Sequence, residues 1–175
     1  MAFTISLAVR PLRSEDLVSV ERILEIWVRD SPAGPPLSSE IGDHLTLMSG
    51  SLAGDSGSRY LVAAREEGEL LGVVGIRPLS QELQDFVLTE HPIEMINLYV
   101  DTRVRKGFGI GTALVRELES LARELGYREM VLSSGPRYRT TGWGFFDRLE
   151  GYERRGMARD LFGEGKDAPV WSKVL

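Results

Sequence analysis

The stretch that most restricts what this chain can fold into runs from Ile93 to Ser134. It contains an apolar run IEMINLYV, a glycine-rich segment DTRVRKGFGIG, a helical pattern and a second apolar run, REMVLSS. Leu114, Val115, Leu118, Leu121, Ala122 and Leu125 recur at the spacing of one helix face, and Gly126 stands where a C-cap glycine belongs. Strand, loop, helix and strand in that order form a crossover unit, right-handed if its strands are parallel neighbours. Gly107, Gly109 and Gly111 let a backbone approach an anion closely, and the following helix start offers unpaired amides with about half a positive charge. The loop therefore reads as a phosphate site. Two familiar nucleotide loops do not fit it. A P-loop needs a Lys-Ser/Thr pair after its last glycine, and GxGxxG fails because its final position is Thr112 or Leu114 here.

Around this unit the pattern changes often, and no composition shift marks a linker, so a single domain spanning residues 1–175 is expected. LAVRPL reads as a strand. Ser14, with Glu15 and Asp16, opens a helix carrying Leu17, Val20, Ile23, Leu24 and Trp27 on one stripe. The three prolines of SPAGPPLSSE end it, and Ser38 or Ser39 caps a shorter helix with Ile41, Leu45 and Met48. SGSLAGDSGS reads as a Gly/Ser-rich loop, and RYLVAAREEGELLGVVGIRPL as a hairpin turning at EEGE. GWGFFDRLEGYE reads as a short helix and turn, and APVWSKVL as a last strand.

Composition removes several classes of function. The 175 residues include no cysteine, which excludes a disulfide framework, a thiolate nucleophile and a cysteine-based zinc site. A net charge of −5 argues against broad nucleic-acid binding while leaving room for one local basic patch. No apolar run reaches the ~20 residues of a membrane span, and the N-terminal residues do not read as a secretory leader, so a cytoplasmic location is expected. His44 and His91 are isolated in sequence and read as surface or helix-packing residues, with no metal site.

Lys106, Gly107, Phe108, Gly109, Ile110 and Gly111 resemble the pyrophosphate motif of the GNAT superfamily of acetyl-CoA-dependent N-acetyltransferases, written [R/Q]xxGxG/A. The preceding LYVD, the hairpin, the early EDL and the later FFDRLEGYE follow the order of that family, so the resemblance covers most of the chain. It implies an α/β (α+β) GNAT fold, a mixed and mostly antiparallel sheet of six or seven strands flanked by helices. It implies acetyl-CoA as co-substrate, a primary amine as acceptor, direct attack in a ternary complex, and a homodimer as a common assembly. A small-molecule amine is the expected acceptor. The rival reading is a non-catalytic acyl-CoA-binding or sensor domain.

The resemblance assigns Arg105, Lys106, Gly107, Phe108, Gly109, Ile110, Gly111 and Thr112 to the pyrophosphate. It assigns the backbone of Leu98, Tyr99 and Val100 to the acetyl carbonyl and pantetheine arm, and Ser133 to the arm. Two positions depart from the family pattern. Lys106 replaces Arg or Gln, preceded by Arg105, and Phe146 stands where a tyrosine general acid is common. Amines with pKa near ~10.4 are mostly protonated at neutral pH, so a base is useful. Glu94 matches the catalytic glutamate of some members, directly or through water; the alternative is a carboxylate facing solvent at the strand's beginning. For the acid, Tyr138 is the substitute and Tyr99 a weaker one; the competing reading of Tyr138 is a loop tyrosine packing its ring.

Overall fold

The computed structural model describes residues 6–54, 56–65, 68–104 and 109–175. Its strands are β1 (Leu7–Pro11), β2 (Arg59–Arg65), β3 (Leu70–Arg77), β4 (Pro92–Val100), β5 (Glu129–Ser133), β6 (Glu153–Ala158) and β7 (Ala168–Val174). The helices are α1 (Leu17–Trp27), α2 (Ser38–Ala53), α3 (Ile110–Glu124) and α4 (Gly142–Arg148). The strands are hydrogen-bonded in the order β1-β2-β3-β4-β5-β7-β6. β1 with β2, β2 with β3, β5 with β7 and β6 with β7 run antiparallel, whereas β4 and β5 run parallel. The parallel pair is the crossover unit read from sequence, with α3 as its connection.

Contacts gather the chain into two compact units, residues 1–76 with 96–118 and residues 77–95 with 119–175. In the first, Val20, Ile23 and Leu24 form the buried stripe of α1, and Ile41 and Met48 that of α2. Every residue of β3 from Leu70 to Ile76 is buried, which its unbroken apolar run requires. Glycine at two of those positions is steric. A Cβ on Gly72 would lie 3.0 Å from the Tyr99 carbonyl oxygen, and one on Gly75 would lie 2.5 Å from the Tyr60 ring.

In the second unit the largest fully buried side chain is Trp171 on β7, against which Phe146 packs with ring centroids 5.3 Å apart. Leu83, Val131, Ala158 and Val170 form one apolar cluster there. On its surface the Arg154 guanidinium reaches both carboxylate oxygens of Asp147, at 2.7 and 2.8 Å, and lies over the rings of Trp143 and Trp171.

Three expectations are corrected. The α1 helix is not capped by Ser14: a short 3-10 turn (Ser14–Asp16) precedes it, and the Asp16 carboxylate accepts the Arg13 amide while pairing with Arg10. α2 extends through residues 49–53, whose composition suggests a loop; the Ser51 hydroxyl donates to the Met48 carbonyl, and Gly54, at φ 82°, closes the helix. The N-cap of α2 is Leu37, with no side-chain cap bond, in place of Ser38 or Ser39. Beyond the short helix and turn, ERRGMA, a segment not assigned from the sequence, is a strand because β7 supplies its partners from Glu153↔Ser172 to Ala158↔Ala168. Among the described residues no helix is long and apolar enough to cross a membrane.

Candidate functional site

β4 is apolar except for Glu94, in the second unit, and Asn97, in the first. In the first unit, Asn97 adopts φ 53°, a left-handed conformation that strand residues other than glycine rarely take. One such residue inside a strand breaks the pleat and redirects the amides that follow, here those of Leu98, Tyr99 and Val100. The Asn97 side chain is held at both ends. Its Oδ1 accepts from the Tyr60 hydroxyl at 3.0 Å, and its Nδ2 lies 3.0 Å from Nδ1 of His44 on α2. The His44 ring meets Tyr99 edge-on, with centroids 6.1 Å apart, and its Nε2 faces Glu40 Oε1 at 4.0 Å.

The end of β4 is fixed from two sides. The Trp27 indole donates to the Val100 carbonyl at 2.8 Å, and the Asp101 amide donates to the Leu71 carbonyl at 2.8 Å. Asp101 is buried and accepts from the Arg103 amide and guanidinium, which hold its carboxyl below the usual range despite burial. Arg103 therefore spends its fork on Asp101. Arg105, Lys106, Gly107 and Phe108 lie outside the described residues. Beyond them Gly109 has φ 65°, with open space where a Cβ would stand, and its carbonyl accepts the Ala113 amide as the first bond of α3. The amides of Ile110, Gly111 and Thr112 precede that bond, so they form the donor end of the helix. This open approach and donor set fit a pyrophosphate.

In the second unit, Glu94 is 6% exposed, so the solvent-facing alternative is corrected. One carboxylate oxygen accepts from Arg77 Nη2 at 2.7 Å and the other from the Ser80 amide at 2.9 Å. Two of its roughly four acceptor sites are thereby filled. The Ser133 hydroxyl donates to the Pro169 carbonyl at 2.9 Å, which leaves its lone pairs but not its proton for a ligand. Tyr138 ends a 3-10 turn (Pro136–Tyr138), half-buried, with the Arg137 guanidinium 5.9 Å from its ring centroid. Phe146 is buried between Phe145 and Trp171, as core.

Sequence reasoning found the helix start and β4 but missed the His44–Asn97–Tyr60 group and the Arg77 partner of Glu94. His44 read as isolated because Asn97, which meets its Nδ1, lies 53 residues away. An asparagine in the middle of an apolar strand run was the one available signal.

A family model described as Acetyltransferase (GNAT) family matches residues 20–161. The human protein N-acetyltransferase 8 is 36% identical over 85 residues, 49% of this chain and 35% of that protein. The chain thus spans about a third of the length of that curated relative. The solved structure of PaiA N-acetyltransferase from Thermoplasma acidophilum, in complex with coenzyme A, superposes with a TM-score of 0.68 at 18% identity. That match covers 98% of this chain and 100% of that one. Spermidine/spermine N-acetyltransferase SpeG from Vibrio cholerae superposes with a TM-score of 0.63 at 17% identity, covering 96% and 92%.

Proposed function

The chain belongs to the acetyltransferase (GNAT) family, and on that premise we propose that it moves an acetyl group from acetyl-CoA to the primary amine of a small molecule. The observation that carries the reading is the parallel β4–α3–β5 crossover inside the matched region, with a left-handed Gly109 at the start of α3. PaiA, of the same fold, holds coenzyme A.

In this reading Arg105, Lys106 and the amides from Gly107 to Thr112 take the pyrophosphate by charge and by the helix start. The backbone of Leu98, Tyr99 and Val100 bonds the pantetheine arm and the acetyl carbonyl, whose oxygen gains charge as the amine attacks. Ser133 accepts from the arm. The amine must be neutral to attack the thioester carbon. Glu94 takes its proton through a bound water, using the acceptor sites that Arg77 and Ser80 leave open, and Tyr138 donates to the departing thiolate. With a thiol pKa near ~8.5, that thiolate leaves even without a strong acid, so an acid adds to the rate without being indispensable. SpeG, by its name, acts on spermidine and spermine. That supports a small polar amine as the acceptor class. The protein acts in the cytoplasm, on no nucleic acid or membrane.

A second reading has its own observation. Glu94 is engaged by two partners and Phe146 is core, so the domain could bind acyl-CoA as a sensor without turnover. Acetyl-CoA incubated with peptides, polyamines, aminoglycosides and amino acids decides between the two. Free thiol above the no-protein background with one of these amines supports transfer. Acetyl-CoA binding with no thiol from the whole panel supports the sensor.

A further inference from the structure

We propose that Tyr60, Asn97 and His44 form a positioning chain for the acetyl carbonyl, holding β4 in the left-handed turn that aims the amides of Leu98 to Val100. The inference rests on the acetyl-CoA reading above. A left-handed asparagine is disfavoured against a regular strand residue, and it persists only where its surroundings over-determine it. They do so here from four elements. Tyr60 on β2 donates to Oδ1 of Asn97, which fixes the amide's orientation and turns its Nδ2 toward His44 on α2. Gly75 on β3 is the cross-strand partner of Tyr60, and its missing side chain leaves the space that the phenol ring occupies. Tyr99, two residues after Asn97 on β4, closes the ring of contacts against His44.

The bonding order assigns protons. Nδ2 of Asn97 is a donor, so Nδ1 of His44 accepts, and the neutral imidazole carries its proton on Nε2, toward Glu40. His44 in this state has its basic lone pair occupied. It is a positioning residue and not the base for the amine. A strand that served only to fill the core would hold valine or isoleucine at this position and need no partners for it.

Titration calorimetry with acetyl-CoA and with CoA tests the chain without knowledge of the acceptor. Aimed amides that bond the carbonyl should make the wild-type protein bind acetyl-CoA more tightly than CoA by roughly 2- to 12-fold, the worth of one neutral hydrogen bond. In His44→Ala and in Asn97→Ala that ratio should fall to about one, because any weakening of the pantetheine contacts acts on both ligands alike while the carbonyl bond is lost only from acetyl-CoA. His44→Asn keeps an acceptor near Nδ1 and should keep the ratio, whereas His44→Gln should lose it. This second pair is decisive if the alanine variants do not fold. An unchanged ratio in His44→Ala or His44→Gln overturns the chain, as does a wild-type protein that binds both ligands equally. Wild-type protein that binds neither sinks the acetyl-CoA reading, and this inference with it.

Discussion

At the scale of single residues, chemistry depends on what a side chain has left to offer after its neighbours are served. Glu94 is served by Arg77 and by the Ser80 amide, so its substitution has two separable effects. Glu94→Gln turns one oxygen into an NH2 group facing a donor, which should lower stability by about 1–3 kcal/mol, read as a lower urea midpoint. If Glu94 also takes the proton, the thiol-release rate should fall by roughly 10²- to 10⁴-fold. A stability loss without a rate loss reduces Glu94 to an anchor for the segment after β3. Gly75 makes a matching case for packing. Gly75→Ala places a methyl group 2.5 Å from the Tyr60 ring in the fold as it stands. Expelling that ring should cost about 1–3 kcal/mol by overpacking and break the bond to Asn97. An unchanged midpoint would mean that the ring moves freely.

At the scale of elements, the pyrophosphate site proposed above falls on the first turn of α3. Gly109→Ala puts a Cβ into open space but onto a left-handed backbone, so the expected cost of about 1–2 kcal/mol is conformational and not steric. Should the helix start hold pyrophosphate, CoA affinity should fall with it, and equal loss of stability with full CoA affinity would place the anion elsewhere. α3 was readable because its apolar period is strict and Gly126 marks its end. The last turns of α2 were not, because Gly50 and Ser51 weaken the local preference and the helix is completed by a back-bonding hydroxyl and a capping glycine. β6 was missed for a different reason. As the edge strand its ERRGMA sequence is polar where it faces solvent, and β7 alone pairs with it. The kink at Asn97 was the least legible feature, since the local apolar pattern specifies a strand and the partners that impose the turn come from β2 and α2. Local pattern thus located the candidate site while long-range pairing set its geometry.

At the scale of the whole molecule, the net charge of −5 hides carboxylates whose ionised form the fold holds. Asp16, bonded by the Arg10 fork, and Asp101, bonded by Arg103, are both buried, and these hydrogen bonds depress their pKa values against desolvation. A folded pKa below the unfolded value of about 3.9 means that the unfolded chain binds more protons at acid pH. Their contribution is therefore fully present above about pH 4 and is lost as pH falls through the folded values. Chemical denaturation at a series of pH values should find the Asp16→Asn and Asp101→Asn proteins less stable than wild type at pH 7. The difference should shrink as pH falls below about 4 and through the folded values, where the wild-type carboxylates become protonated too. A difference that stays undiminished over the whole acid range in which the native state remains folded would mean that shape, and not charge, is what these residues contribute. Acetyl-CoA acts on the same balance from the other side. Binding to the folded state alone adds about 2.7 kcal/mol at a hundred times Kd, so the melting temperature should climb with ligand concentration and climb less with ATP or NAD. Stabilisation by ATP and none by acetyl-CoA would assign the glycine loop to a different phosphate.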